Sequence, residues 1–248
     1  MEPSTTDLAT LEYPGRLIAV GRAAVGGKIA IAYAITGRSP SSQARKLVFR
    51  EAGIWVQPTD EEVLKKGNVD LLVYPAVLFG KRGIAVSNGK QTGDVLEGLS
   101  AGGSPVAVLS AALERWDYEP DAPIFTPRIS GCLCGGRAGL SLVRRGPDGA
   151  TLRSYYEVPL LLPLRAGRAR LVSTYLGPNR DPLPCFEGEP REIVLAGASA
   201  RETAAAVYEA LAPREAGKDF RVAVASVHAS PDDPSDLEFH IINRHERI

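Results

Sequence analysis

The chain has 248 residues, 44% hydrophobic and 6% aromatic, with 29 basic side chains balanced by 29 acidic ones. That length buries a sizeable core without staples, and mixed charge with no long single-sign run excludes broad attraction to a nucleic-acid polymer or an anionic membrane. The most continuous apolar run, residues 29–35, falls far short of the ~20 residues that a membrane-spanning helix requires.

Residues 1–12 carry three acids, three threonines and no basic apolar leader, so they read as the flexible amino terminus of a cytoplasmic protein and not as a secretory signal. Alternating apolar residues then predict strands at 16–20, 28–36, 46–57 about an Ala52-Gly53 turn, 71–78 and 83–87. Gly26-Gly27 and residues 80–83 supply hairpin turns. Helical spacing takes over at 92–99 and 106–116, the second helix opened by Ser104 as cap and Pro105 in the first turn. After a proline-rich passage at 120–127, strands return at 140–144, 151–158 and 168–175, with Pro147-Asp148-Gly149 as a turn. A third helix, 201–211, begins with Ser199 and Glu202 at capping-box spacing, between strands at 191–195 and 221–228; a last strand covers 237–242. Strands joined by short hairpins, with helices grouped between them, predict an α+β fold of antiparallel sheets covered by helices. Residues 178–190 are too short for a domain linker, so 13–248 read as a single domain.

Several familiar chemistries fail on spacing. The stretch from Gly21 to Ile29 misses a phosphate loop by one residue, and an alternating strand follows Lys28 where a phosphate loop needs a helix. Cys132 and Cys134 find no second Cys or His pair to complete a zinc site, so no metal is expected. They are too close for an easy disulfide, and with Cys185 they read as reduced thiols. His228, His240 and His245 are scattered and receive no role. No nucleophile elbow occurs, and Pro14 and Gly15 separate Ser4, Thr5 and Thr6 from the first strand, which argues against a processed amino-terminal nucleophile.

Polar groups do collect where strands end. They lie in Tyr13-Pro14-Gly15-Arg16, in the loop from Gly37-Arg38-Ser39 to Arg45, in Asn88-Gly89-Lys90-Gln91-Thr92, and in Glu119-Pro120-Asp121 running into Thr126-Pro127-Arg128-Ile129. Each alone is an ordinary turn or solvated loop. As an ordered set, with Val86-Ser87-Asn88-Gly89, Asp117-Tyr118-Glu119 and Phe186-Glu187-Gly188-Glu189-Pro190, they resemble the archaeal-type IMP cyclohydrolases, most closely the bacterial branch.

The resemblance implies a four-layer α-β-β-α sandwich of antiparallel sheets, similar to the amino-terminal nucleophile hydrolases but without their nucleophile. It implies closure of the purine ring in a ribonucleotide precursor, with no cofactor, in a homo-oligomer. Both reactants already sit on one molecule, so the reaction needs a productive rotamer, a donor for a developing oxyanion and proton transfer. The family's catalytic positions correspond to Arg45, Tyr74 and Glu119: Glu119 to move the proton, Tyr74 to donate or relay through its hydroxyl, Arg45 to stabilise the formyl oxygen. On the residues alone, Tyr74 is a strand aromatic with its hydroxyl at the rim, and Glu119 is a partner for a neighbouring arginine. Substrate binding falls to Arg16, Arg38, Ser39, Asn88, Gly89, Gln91, Thr92, Thr126 and Arg128. Among these, Arg16, Arg38 and Arg128 suit a phosphate, because planar guanidinium groups bind it through paired hydrogen bonds. The chain departs from its relatives at Gly93, where they carry Asp. That leaves open a sister cyclase acting on a purine-like nucleotide, and a paralogue that binds nucleotide without turning it over.

Overall fold

A computed structural model describes residues 7–60, 73–160, 164–213, 218–233 and 235–246. The chain opens with β1 (Arg16–Arg22) and β2 (Ile29–Thr36), joined through Gly26 and Gly27 at φ 76° and 69°, a left-handed backbone that other residues adopt only with strain. A four-residue helix α1 (Pro40–Gln43) leads into β3 (Arg45–Arg50), β4 (Gly53–Pro58), β5 (Tyr74–Gly80) and β6 (Gly83–Ser87). Helices α2 (Thr92–Ala101) and α3 (Pro105–Ala112) precede β7 (Arg128–Cys134), β8 (Arg137–Arg145), β9 (Thr151–Val158), β10 (Arg168–Ser173) and β11 (Arg191–Val194). Helix α4 (Ala200–Ala210), β12 (Arg221–Ala229) and β13 (Leu237–Asn243) finish the chain.

The strands form two sheets, ordered β11-β10-β1-β2-β12-β13 and β3-β4-β5-β6-β7-β8-β9, and every neighbouring pair is antiparallel. Strand β2 shows how they stack. Tyr33 reaches Tyr74 in the other sheet, so by alternation Ile29, Ile31 and Ile35 face inward with it while Ala30, Ala32 and Ala34 face out. On the outward face those alanines let α4 lie close; on the inward face the isoleucines join the core that both sheets share. Helices α2 and α3 cover the outer face of the seven-stranded sheet through Val95, Leu99, Val108, Leu109 and Leu113. The result is an α+β sandwich, with two antiparallel sheets face to face and helices outside each.

The structure departs from the sequence reading in places. Strand β7 is absent from that reading because six of its seven residues are buried and three, Gly131, Cys132 and Cys134, are glycine or small cysteine, which erases the alternation of a half-exposed strand. Helix α1 stands where a polar loop is expected, because Ser39 caps it by accepting from the Ser42 amide. Helix α3 stops at Ala112, short of the expected Trp116. Helix α4 has the Ser199 cap, but Glu202 accepts from the Ala198 amide, one residue before the position a capping box uses. Of the expected flexible start, residues 1–6 lie outside the described residues, as do residues 71–72 of a predicted strand; Leu8 and Leu11 are buried in the core. No helix among the described residues is long and apolar enough to cross a membrane.

Candidate active site

In antiparallel sheets the start of one strand lies beside the end of the next. Arg45 opens β3, Tyr74 opens β5, Ser87 closes β6 and Arg128 opens β7, so the seven-stranded sheet gathers its polar strand ends at one end. Arg16 opens β1 in the facing sheet, and its cross-strand partner Ile35 shares the inward face with Tyr33.

Glu119 stands at the centre of this end. Its amide donates to the Thr126 carbonyl at 2.9 Å, closing the loop that leads into β7. Oε1 of its side chain accepts from Arg16 Nη2 at 3.0 Å and from Asn88 Nδ2 at 3.3 Å. Asn88 also donates to the Pro127 carbonyl, while its Oδ1 accepts from the Ile129 amide at 2.8 Å and from Gln91 Nε2 at 3.1 Å. Those two N–H donors fix which way the Asn88 amide points, with its NH2 toward the carboxylate. Gln91 Oε1 in turn accepts from Arg128 Nη1 at 3.2 Å, and Arg128 Nε donates to the Asp117 carbonyl. The Arg128 guanidinium lies 4.7 Å from the ring centroid of Trp116, whose Nε1 is held by Asp94 at 2.6 Å. Gly89 has a steric reason to be glycine: a Cβ there would stand 2.5 Å from Gln91 Oε1 and 2.8 Å from Arg128 Nη1.

Two further ties frame the cluster. The Thr92 hydroxyl is 2.6 Å from the Pro75 carbonyl and 2.8 Å from that of Gly89, which fastens the start of α2 beside Tyr74. The Thr126 hydroxyl lies 2.5 Å from Asp121 Oδ2 and 2.9 Å from the Tyr175 hydroxyl. A carboxylate only accepts, so Thr126 donates to Asp121 and Tyr175 donates to Thr126. Burial foremost pushes the Tyr175 phenol up to about 12, against the opposing pull of Arg16.

Arg16, Asn88, Gly89, Gln91, Thr92, Glu119, Thr126 and Arg128 are thus brought together, and Tyr74 and Arg45 border them. Arg45 is buried and donates through Nε to the Ser42 carbonyl at 2.9 Å. Arg38 and Ser39 stand apart: Arg38 pairs with Asp181 at 2.8 Å and lies over Tyr13, while Ser39 serves the α1 cap. The sequence reading missed Tyr33, Tyr175, Asp94 and Trp116. Of these, Tyr33 left a signal as the lone aromatic in a strand of alternating Ile and Ala, and Asp94 as the acid one place after Gly93, where relatives carry Asp.

Electrostatically the centre is a carboxylate between guanidinium groups. Burial pushes the Glu119 carboxyl up from the usual carboxylate range, and Arg16 and Arg128 draw it part of the way back. A carboxyl raised in this way can give and take a proton nearer neutral pH. Among the described residues the buried Arg16 Nε has no hydrogen-bond partner, so donor capacity remains at the same place. Among the described residues no group of three or more His, Cys, Asp or Glu is placed to hold a metal ion.

The sequence matches no curated protein at a significant level. A family model described as IMP cyclohydrolase-like protein matches residues 13–232, a span running from Tyr13, over which Arg38 lies, through every residue of the cluster around Glu119 and on past β12; the chain belongs to that family.

Proposed function

We propose that the chain is an IMP cyclohydrolase, closing the ring of 5-formamidoimidazole-4-carboxamide ribonucleotide to IMP with loss of water. The observation that carries this reading is the buried Glu119 carboxylate, held by Arg16 and Asn88 between the two sheets of a chain from the cyclohydrolase-like family. In the reaction the carboxamide nitrogen attacks the formyl carbon, a C–N bond forms, and the formyl oxygen becomes a hydroxyl on a tetrahedral carbon. Glu119 takes the proton that the attacking nitrogen loses and passes it to the formyl oxygen to make that hydroxyl; the former formamide nitrogen then gives up its N–H proton as the C=N bond forms, and Glu119 relays this second proton to the hydroxyl, which leaves as water. Tyr74 and Arg45 face the formyl oxygen as it gains charge. Asn88, Gln91 and Thr92 bind the carboxamide or ribose, and Arg128 and Arg38 meet the phosphate. Arg16, lying against the carboxylate, supports Glu119 rather than the phosphate.

The same reading carries a cytoplasmic homo-oligomer that works without a cofactor. Ring closure is followed by its ultraviolet change when pure protein meets the precursor in the presence of a chelator. Acceleration over buffer is the expected result, and no acceleration removes the reading.

One observation favours a second reading. A Cβ at Gly93, in the first turn of α2, would meet no atom within 4 Å. The side chain missing there leaves room beside Thr92 for a precursor shaped differently from that of IMP. A panel of precursor analogues separates the two, since preference for an analogue selects the sister cyclase. Nucleotide binding without turnover of any of them selects a non-catalytic paralogue.

A further inference from the structure

Tyr33 and Tyr74 come from opposite sheets, are both fully buried, and meet hydroxyl to hydroxyl at 3.0 Å. Two phenylalanines would fill that layer without the cost of burying polar atoms, so the paired hydroxyls need a reason. Each hydroxyl has one proton, and the contact between them uses only one of the two. The other proton is left over, and its owner can be worked out.

Around the Tyr33 ring the inward face of the six-stranded sheet is apolar. Its cross-strand partners are Ile18 and Ala225, and Ile31 and Ile35 flank it on its own strand. Ala225 is small enough to let the ring stand between its neighbours. Among the described residues the Tyr33 hydroxyl makes its hydrogen bond to Tyr74 alone. Burial first, reinforced by Tyr74, pushes the Tyr33 phenol well above its ordinary range, so it keeps its proton at every pH of interest. Either hydroxyl could donate across this contact, but the apolar surroundings offer the Tyr33 proton no acceptor other than the Tyr74 oxygen, so we assign Tyr33 as the donor and Tyr74 as the acceptor. Tyr74 opens β5 at the end of the sandwich where Glu119, Arg16 and Arg45 lie, and its own O–H is the unspent one.

We propose that Tyr33 is a positioning residue for ring closure: by donating to the Tyr74 oxygen it turns the Tyr74 proton toward the substrate's formyl oxygen. An O–H that already accepts a hydrogen bond is a stronger donor, because hydrogen bonds in a chain polarise one another. The benefit grows as the formyl oxygen gains charge, so it acts on the transition state more than on the bound substrate. No proton has to leave either tyrosine. The device spans both sheets, so the hydroxyl orientation depends on the sandwich being closed.

This inference rests on the ring-closing reading, and the test separates the two. Wild type, Tyr33→Phe, Tyr74→Phe and the double variant are assayed with the formamido precursor, with melting temperature recorded for each. Tyr33→Phe removes one oxygen and keeps the ring, so the fold is retained. Its kcat should fall about tenfold with KM within about twofold, as expected for an interaction made mainly in the transition state. In the Tyr74→Phe background, Tyr33→Phe should cost nothing more, because its only target is gone. An unchanged kcat in Tyr33→Phe, equal changes in kcat and KM, or additive effects in the double variant would overturn the role of Tyr33 while leaving the ring-closing reading in place. A wild-type protein with no turnover overturns that reading and the role of Tyr33 with it.

Discussion

Two polar clusters among the described residues can be set side by side, and the one that looks more like an enzyme is the less equipped for chemistry. Under α4, the Thr203 hydroxyl is 3.0 Å from His228 Nε2 and His228 Nδ1 is 3.5 Å from Glu238 Oε1, the order of groups in a hydrolytic triad. Between the sheets, the other cluster joins Arg16, Glu119, Asn88, Gln91 and Arg128 with no histidine and no nucleophile. The Thr203 hydroxyl and the His228 ring are shut away at 1% exposure, while the half-exposed Glu238 also accepts from the Ala200 amide, so that set ties α4 to β12 and β13. Around Glu119 the bonding is open. Among the described residues Arg16 Nε has no hydrogen-bond partner, so capacity is left for a ligand. Leftover capacity alone does not mark a site, since Arg50 Nε, Trp55 Nε1 and Ser226 Oγ on β12 are also buried without a hydrogen-bond partner among the described residues; the Glu119 cluster differs in having its free donor on a buried ion pair.

Substitutions can break that contrast, and the largest expected effect is on Arg16. Arg16→Ala leaves the Glu119 carboxylate buried without its ion-pair partner, a loss of about 3–5 kcal/mol in stability. Chemical denaturation measures it, and a variant as stable as wild type would show that the pair does not hold the two sheets together. Next comes Glu119→Gln, nearly isosteric but unable to exchange a proton, which should lower kcat by ~10²-fold or more with product affinity nearly unchanged. Wild-type turnover in that variant would remove Glu119 from the chemistry.

The cluster under α4 should respond in the opposite sense. Thr203→Val keeps the shape but strips the partner from His228 Nε2, so stability should drop by about 1–3 kcal/mol while turnover of the folded protein is unaffected. A variant with unaltered melting and lost turnover would invert the assignment of the two clusters. A smaller effect is the pH dependence of stability. Burial foremost holds the His228 pKa below its ordinary 6.5, against the pull of Glu238, so the unfolded chain binds a proton there that the folded one refuses. This contribution is complete above pH 6.5 and is lost as pH falls from there toward the lower folded value, at no more than ~1.4 kcal/mol per pH unit. Melting scans of wild type and His228→Gln should diverge in that window, and parallel curves would refute it. The smallest effect belongs to Arg38→Ala, whose exposed pair with Asp181 contributes about 0.2–1 kcal/mol. If Arg38 meets the phosphate, KM should rise with kcat unchanged, and a KM equal to wild type would take Arg38 out of the substrate contacts.

Much of this was legible in the residues. Alternation and turn residues located the three hairpins β1–β2, β3–β4 and β5–β6, Ser104-Pro105 placed the start of α3, and Ser199 placed that of α4. Local chemistry was enough there, because capping and turn residues act within a few positions of themselves. The polar strand ends at Arg16, Asn88, Glu119 and Arg128 were also visible as candidates. Which of them touch was not, since Arg16 and Glu119 are 103 residues apart and meet only when β1 and the loop before β7 close from opposite sheets.

The amino-acid sequence by itself determined the α+β class, the antiparallel pairing and the set of residues that could do chemistry, because period-two alternation, turn glycines and charged strand ends are local properties of the chain. Tertiary structure alone decided that Arg38 pairs with Asp181 while Arg16 turns to Glu119, that β7 is a strand buried on both faces, and that His228 is a staple. It alone brought Tyr33 to Tyr74 across the core. The physical reason is that a side chain's partner is set by which strand ends coincide when two sheets stack, and stacking depends on the shape of the whole buried core.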